Sequence, residues 1–99
     1  MTVRFSDDAI ADLEEIGAWI GEDNYSRALS FIAEIEDRCW SLATFPERFP
    51  VMRGLSGRSI RKLTHSGYLV FYSVAADEVV VLRIVHGARD WAAFLDGVG

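Results

Sequence analysis

The chain has 99 residues, of which 51% are hydrophobic and 25% are charged, and its formal net charge at pH 7 is −5. This length and composition predict one folded domain that spans residues 1–99, and they exclude a disordered chain. The negative net charge argues against non-specific nucleic-acid binding as the whole function.

The sequence gives no sign of export or of membrane insertion. Cys39 is the single cysteine, so no disulfide forms within the chain. The N-terminal stretch MTVRFSDDAI has no basic region followed by an apolar stretch, and no apolar run approaches the length of a membrane span. We therefore expect a cytoplasmic protein that makes no contact with membranes.

The N-terminal part predicts a short strand over residues 3–6 and an amphipathic helix over residues 7–21. Ser6 is placed to cap this helix. The acidic residues between its apolar positions, Asp12 and Glu15 among them, are expected to face solvent. The apolar residues recur at spacings of three and four: Ala9, Leu13, Ile16 and Ile20.

A second amphipathic helix is predicted to begin after the capping residue Asn24 and to end near Thr44, because Pro46 follows. With the first helix it forms an antiparallel hairpin. Trp40 lies next to the apolar stripe and is expected in the core. Trp19 lies off the stripe of the first helix, and we leave open whether it is a partner contact or a half-buried aromatic residue. The stripe of the second helix consists of Ala28, Phe31, Ile32, Ile35, Cys39 and Leu42.

The C-terminal half changes to the pattern of strands. Residues 45–57, with two prolines and two glycines, predict a loop. Three strands joined by short turns are predicted over residues 59–65, 68–74 and 78–85, which requires an antiparallel meander, and a short helix is possible over residues 89–96. The fold class is α+β: a short N-terminal strand and a helical hairpin packed on an antiparallel sheet that ends in a three-stranded meander.

Basic side chains concentrate on or beside the meander. Residues 1–44 carry a net charge of −7, whereas residues 45–99 carry +2. The sheet face away from the helices is expected to be partly open, with Arg61 and Arg83 on it. Such side chains hold phosphates or serve in acid–base catalysis, although they are also typical of solvated strand faces that pair with acids. The basic set consists of Arg58, Arg61, Lys62, Arg83, His86 and Arg89.

No metal or cofactor is expected. His65 and His86 are the two histidines, and together with Cys39 they lack the spacing of metal ligands. Glycine-rich phosphate loops and nucleophile elbows are also absent. Cys39 lies on an apolar stripe and is interpreted as a core residue rather than a nucleophile.

The order of these elements resembles that of the RelE/ParE superfamily of bacterial toxins. The segments that carry the resemblance span nearly the whole chain, and the strand that ends in His-Gly-Ala-Arg is most similar to the ParE branch. These segments are AIADLEEIGAWI (9–20), SRALSFIAEI (26–35), LATFPERFP (42–50), YLVFYSV (68–74) and VVVLRIVHGARDW (79–91).

The resemblance implies the toxin of a type II toxin–antitoxin system. ParE-like members poison DNA gyrase and are not nucleases, so we lean against an enzyme. RelE-like members cleave messenger RNA on the ribosome without a metal; in that case Arg61, Arg83, His86 and Arg89 are the catalytic candidates. The C-terminal tyrosine of the RelE pattern is missing, because no tyrosine follows Tyr72. A third alternative is a toxin fold that has lost toxicity.

The resemblance also implies a cognate antitoxin, ParD-like or another small DNA-binding protein, encoded by an adjacent gene. The expected assembly is a hetero-oligomer that contacts DNA only through the antitoxin. We expect the partner to be apolar on one side and acidic on the other, because arginines rim the expected surface. Candidate contacts to the antitoxin or target are Trp19, Arg58, Arg61, Lys62, Arg83, His86 and Arg89.

Overall fold

The computed structural model describes residues 1–52 and 59–87. The predicted C-terminal helix, Arg58 and Arg89 therefore lie outside the described residues. Within them, no helix is long and apolar enough to cross a membrane. The elements in chain order are β1 (Thr2–Phe5), α1 (Asp7–Gly21), α2 (Tyr25–Trp40), a 3₁₀ turn (Ser41–Ala43), β2 (Val51–Met52), β3 (Ile60–His65), β4 (Tyr68–Ala75) and β5 (Glu78–His86).

The five strands form one sheet in the order β1-β5-β4-β3-β2. The predicted meander β3-β4-β5 is antiparallel and is confirmed. The sheet as a whole is mixed rather than antiparallel, because β1 joins β5 in parallel, with Thr2 opposite Glu78. A parallel neighbour requires a long crossover, which the helical hairpin and the remaining strands provide. The short strand β2 lies inside the predicted loop 45–57 and was missed.

Both helices begin at the predicted capping residues. The Ser6 side chain accepts a hydrogen bond from the amide of Ala9 at 3.0 Å, and the Asn24 side chain accepts one from the amide of Arg27 at 2.9 Å. Each bond satisfies an amide that the first turn of a helix leaves without an intrahelical partner. The predicted helical hairpin is thus confirmed.

The apolar stripes of the two helices pack on one face of the sheet. Cys39 is fully buried in this core, and burial raises the pKa of its thiol to about 12, so the thiol is protonated at neutral pH. Its interpretation as a core residue is confirmed. The buried members of this cluster are Ala9, Leu13, Ile16, Phe31, Ile35, Cys39, Leu42, Leu63, Val70, Tyr72, Val79, Val81 and Ile84.

The opposite face of the sheet carries a second buried cluster, so the expectation that this face is partly open was wrong. The physical reason is that β4 presents apolar side chains to both faces, as strands covered on both sides do. Arg61 and Arg83 turn away to other partners, described below. The second cluster consists of Ile60, Leu69, Phe71, Leu82 and Val85.

Trp40 was expected in the core, but half of its surface is exposed. It lies one position beyond the buried Cys39, which is a rotation of about 100° around a helix with 3.6 residues per turn. Its indole therefore reaches the margin of the core, where it meets the ring of Phe5 edge to face at 5.3 Å.

The core predicts a large difference between two aliphatic residues of α2. Ile35→Ala should lower the free energy of unfolding by about 2–5 kcal/mol, because Ile35 is fully buried and its truncation leaves a cavity. Leu29→Ala, which truncates an exposed side chain on the same helix, should cost less than about 1 kcal/mol. Denaturant titrations measure both, and equal costs would mean that the helix faces are assigned incorrectly.

Candidate functional site

A β-bulge shifts the pairing register of β5 just before the strand reaches Arg83 and His86. Phe71 lies opposite Arg83, but Tyr72 lies opposite Val81, which leaves Leu82 as the extra residue. Val81 and Ile84 consequently both face the helix-side core although they are three positions apart. An extra residue of this kind bends a strand and re-aims the side chains after it.

Ser6 joins the start of α1 to this bulge. Its amide donates to the carbonyl of Val81 at 2.9 Å, and its hydroxyl donates to the carbonyl of Leu82 at 2.9 Å. The same hydroxyl accepts from Ala9 as the helix cap. One serine thus caps the helix and satisfies the backbone of β5 where β1 ends.

Asp12, on α1, occupies the edge of β5 beyond that point. Its Oδ2 accepts from the amide of Ile84 at 2.9 Å and from Nε of Arg83 at 2.8 Å, and its Oδ1 accepts from an Nη of Arg83 at 2.9 Å. The two side chains are only 11% and 18% exposed. The expectation that Asp12 faces solvent was therefore wrong, because the carboxylate replaces a neighbouring strand as hydrogen-bond acceptor.

Arg83 and Asp12 form a bidentate, charge-assisted ion pair, which is the strongest geometry for an arginine and a carboxylate. The hydrogen bond to Asp12 raises the pKa of Arg83 above its usual value. The arginine that the sequence placed among the contact and catalytic candidates thus holds helix and sheet together.

A cleft of about 320 Å³ opens beside this ion pair, between α1 and the end of β5. It brings together Trp19 and His86, two of the residues selected from the sequence. The ring of His86 meets that of Tyr68 edge to face at 5.2 Å. The lining of this cleft includes Asp12, Glu15, Ile16, Trp19, Tyr68 and His86.

Arg61 lies two strands away from this cleft and fastens the loop before β2. One of its Nη atoms donates to the carbonyls of Glu47 and Phe49. The hydroxyl of Tyr72, opposite Arg61, donates to the carbonyl of Pro46 at 2.8 Å, and burial raises the pKa of Tyr72. Lys62 lies next to Arg61 on β3, opposite Phe71 and partly exposed.

His65 ties the end of β3 to α2. Its Nε2 lies 3.2 Å from Glu34, and its Nδ1 lies 3.4 Å from Arg38. Arg27 binds the same Glu34 carboxylate at 2.6 Å, and these hydrogen bonds, first from Arg27 and then from His65, lower the pKa of Glu34. His65 therefore takes part in the contact between helix and sheet.

The structure thus brings Trp19 and His86 together in one cleft, whose Asp12 binds Arg83, and it places Arg61 and Lys62 on a different strand. Nowhere in residues 1–52 and 59–87 do three or more His, Cys, Asp or Glu side chains form a group able to hold a metal ion. The sequence did not predict the contact of Asp12 with β5, because Asp12 has the same pattern as the other acidic residues of α1. The only local signal was the end of β1 at Phe5, beyond which no strand of the described residues lies beside this edge of β5.

Comparison with known proteins identifies the class. A model of the ParE toxin of the type II toxin–antitoxin system parDE matches residues 3–91. Curated protein sequences gave no match. Because the matched region covers most of the chain, the protein belongs to the ParE toxin family, within the RelE/ParE superfamily.

Two solved structures share the fold. A chain from the chromosomal ParDE system of P. aeruginosa superposes with a TM-score of 0.73 at 20% identity, over 87% of this chain and 95% of that chain. A chain from the RelBE2 toxin–antitoxin complex of Mycobacterium tuberculosis gives 0.63 at 26% identity, over 89% and 92%. The protein is thus a type II toxin–antitoxin toxin with the RelE/ParE fold.

The geometry predicts strong thermodynamic coupling between Asp12 and Arg83. Asp12→Leu alone should destabilise the chain by about 3 kcal/mol, because it leaves the guanidinium largely buried without its acceptor. The double variant Asp12→Leu/Arg83→Met should be more stable than the sum of the two single changes predicts, by about 1–3 kcal/mol. Thermal or denaturant unfolding of the four proteins measures this coupling, and additive effects would mean that the two side chains do not interact.

Proposed function

We propose that this toxin acts by binding DNA gyrase and inhibiting it, in the bacterial cytoplasm, and that a cognate antitoxin encoded by an adjacent gene neutralises it. Membership of the ParE family and the resemblance of the β5 end to the ParE branch support this target. The proposal makes the chain a binding protein, and no chemical step is required of it.

The pairing of Arg83 with Asp12 is the observation that carries the proposal. RNA cleavage needs a cation close to the scissile phosphate, because negative charge develops there in the transition state. Both oxygens of Asp12 already bind the Arg83 guanidinium. If the guanidinium moved to a phosphate, the largely buried Asp12 carboxylate would lose its ion-pair partner, which is energetically costly.

Arg61, another of the catalytic candidates, has a comparable role. Its guanidinium donates to two carbonyls of the loop before β2, and these hydrogen bonds set the orientation of the Arg61 side chain. The acidic helical hairpin, with ten carboxylates and two arginines over residues 7–40, also repels an RNA backbone. Both features favour a protein target over a ribosomal one.

The cleft between α1 and β5 is the contact surface that we propose for the target. Trp19 is two-thirds exposed and, like His86, lines this cleft. Exposed tryptophans contribute strongly to protein interfaces, because a large apolar ring loses its contact with water there. We propose Lys62 and the two arginines outside the described residues, Arg58 and Arg89, as further contacts to the target or antitoxin.

The test is expression of the chain in a bacterium that lacks the antitoxin. We expect filamentous cells, induction of the DNA-damage response and loss of plasmid supercoiling, while bulk messenger RNA stays intact. The control is Ile35→Asp, which buries a carboxylate in the core and should abolish folding and toxicity together. Microscopy, plasmid topoisomer gels and transcript mapping provide the measurements.

The other outcomes identify the alternatives. Rapid arrest of translation with cleaved transcripts would contradict gyrase inhibition and establish RelE-like cleavage of messenger RNA. Normal growth with folded, soluble chain would contradict both and indicate a toxin fold without toxicity.

A further inference from the structure

The loop before β2 contains the sequence FPERFP, in which two Phe-Pro pairs flank two charged residues. The two phenylalanines have opposite surroundings. Phe49 packs against the helix-side core, and the guanidinium of Arg48 lies over its ring at 5.4 Å. Phe45 is 65% exposed, and within the described part of the chain it meets no other aromatic ring. One short loop thus packs one ring against the core and projects the other into solvent.

Side chains from two strands hold the backbone of this loop. Arg61 on β3 donates to the carbonyls of Glu47 and Phe49, and Tyr72 on β4 donates to the carbonyl of Pro46 at 2.8 Å. Tyr72 is fully buried, so close packing in the core fixes the position of its ring. The segment that follows Phe45 is therefore tied to the most rigid part of the sheet.

Two prolines restrict the loop further. The rings of Pro46 and Pro50 fix the backbone angle φ near about −65°, and each proline disfavours helical backbone at the residue before it, here Phe45 and Phe49. A segment that is already ordered loses little conformational entropy on binding, so more of its contact energy appears as affinity. The loop is thus organised in advance to present Phe45.

Phe45 differs from an ordinary exposed apolar residue. Single apolar side chains are common on protein surfaces and need no explanation, and Ile10 on α1 is such a residue. The backbone next to Phe45, in contrast, is held by two strands, and an open recess of about 540 Å³ lies beside its ring, lined by residues 44–48. Large aromatic rings that are held in place contribute most strongly to protein interfaces.

We propose that Phe45 contacts DNA gyrase, the target of this toxin, and that its ring enters an apolar pocket on that enzyme. The inference rests on the proposed gyrase inhibition and adds a contact that was not among the residues selected from the sequence. A projecting ring is buried by a partner that has a pocket, and pockets occur in folded domains, especially where domains meet. A single helix or extended segment of an antitoxin offers no such pocket.

The loop is distinct from the cleft that contains Trp19 and His86. The cleft lies at β5 and the loop precedes β2, three strand spacings away, which is about 14 Å. The recess beside Phe45 shares no lining residue with the cleft. A standard interface of about 800 Å² on each partner is wide enough for this separation. Substitutions in the loop therefore test the contact of Phe45 while the cleft stays intact.

The first test is inhibition of purified gyrase in a DNA supercoiling assay. Phe45→Ala should weaken inhibition about tenfold, while its thermal stability stays close to that of the unmodified chain because the ring is mostly exposed. The matched control is Ile10→Ala, which truncates an exposed apolar side chain outside the loop and the cleft and should change inhibition less than about twofold.

A cycle of two substitutions tests whether the rigid loop serves Phe45. Tyr72→Phe removes the hydroxyl that binds Pro46 but keeps the buried ring, and it should weaken inhibition about threefold because the loop gains freedom. In the Phe45→Ala background the same change should have almost no further effect, since no ring is left to position. An equal loss in both backgrounds would show that Tyr72 acts independently of Phe45 and would contradict this role.

The remaining outcomes separate this inference from the proposed function. If the unmodified chain inhibits gyrase and Phe45→Ala inhibits it equally, the inference is wrong and the proposed function stands. If the unmodified chain leaves gyrase active, both are contradicted. If Phe45→Ala keeps inhibition but loses affinity for the purified product of the adjacent antitoxin gene, the loop contacts the antitoxin, which also overturns the inference.

Discussion

The attachment of α1 along the unpaired edge of β5 is the constraint on which this structure depends. Ser6 satisfies the carbonyls of Val81 and Leu82 at the bulge, and Asp12, less than two turns later, accepts from the amide of Ile84 and from Arg83. Exposed strand edges attract other chains, and covering them is a common solution. Here a helix cap and one carboxylate cover the edge where β1 ends, and they also fix the position of the hairpin on the sheet.

Because of this attachment, some of the charged side chains stabilise the fold and others lie at the surface. Arg83 and Arg61 hold the fold together, whereas Glu14, Glu22 and Glu36 of the helical hairpin line recesses at its surface. The cleft that contains Trp19 and His86 lies beside this attachment. Its lining meets that of a recess on the helical hairpin at Ala18 and Glu22.

The helices and the meander were predictable because their signals are local: apolar periods of three to four, capping residues, and short turns such as Ser66-Gly67. The predictions failed where contacts between distant parts of the chain determine the structure. The bulge at Leu82 has no sequence signature and shifts the facing of every later residue in β5. Asp12 cannot be distinguished from Glu15 by sequence, yet Asp12 binds the strand edge while Glu15 only lines the cleft beside it. Trp40 differs from Cys39 only by one step around the helix, which moves it out of the core.

The central claim is that Arg83 supports the fold and takes no part in contacting or cleaving a target. The most direct measurement is inhibition of purified gyrase in a DNA supercoiling assay by the variant Arg83→Gln, compared with the unmodified chain at equal concentrations of folded protein. The account predicts inhibition within about threefold of the unmodified chain, because glutamine removes the guanidinium but keeps a hydrogen-bond donor for Asp12, which itself stays in place. An Arg83→Gln variant that is folded by circular dichroism and thermal unfolding but has lost inhibition would contradict it, and so would an unmodified chain that leaves gyrase active.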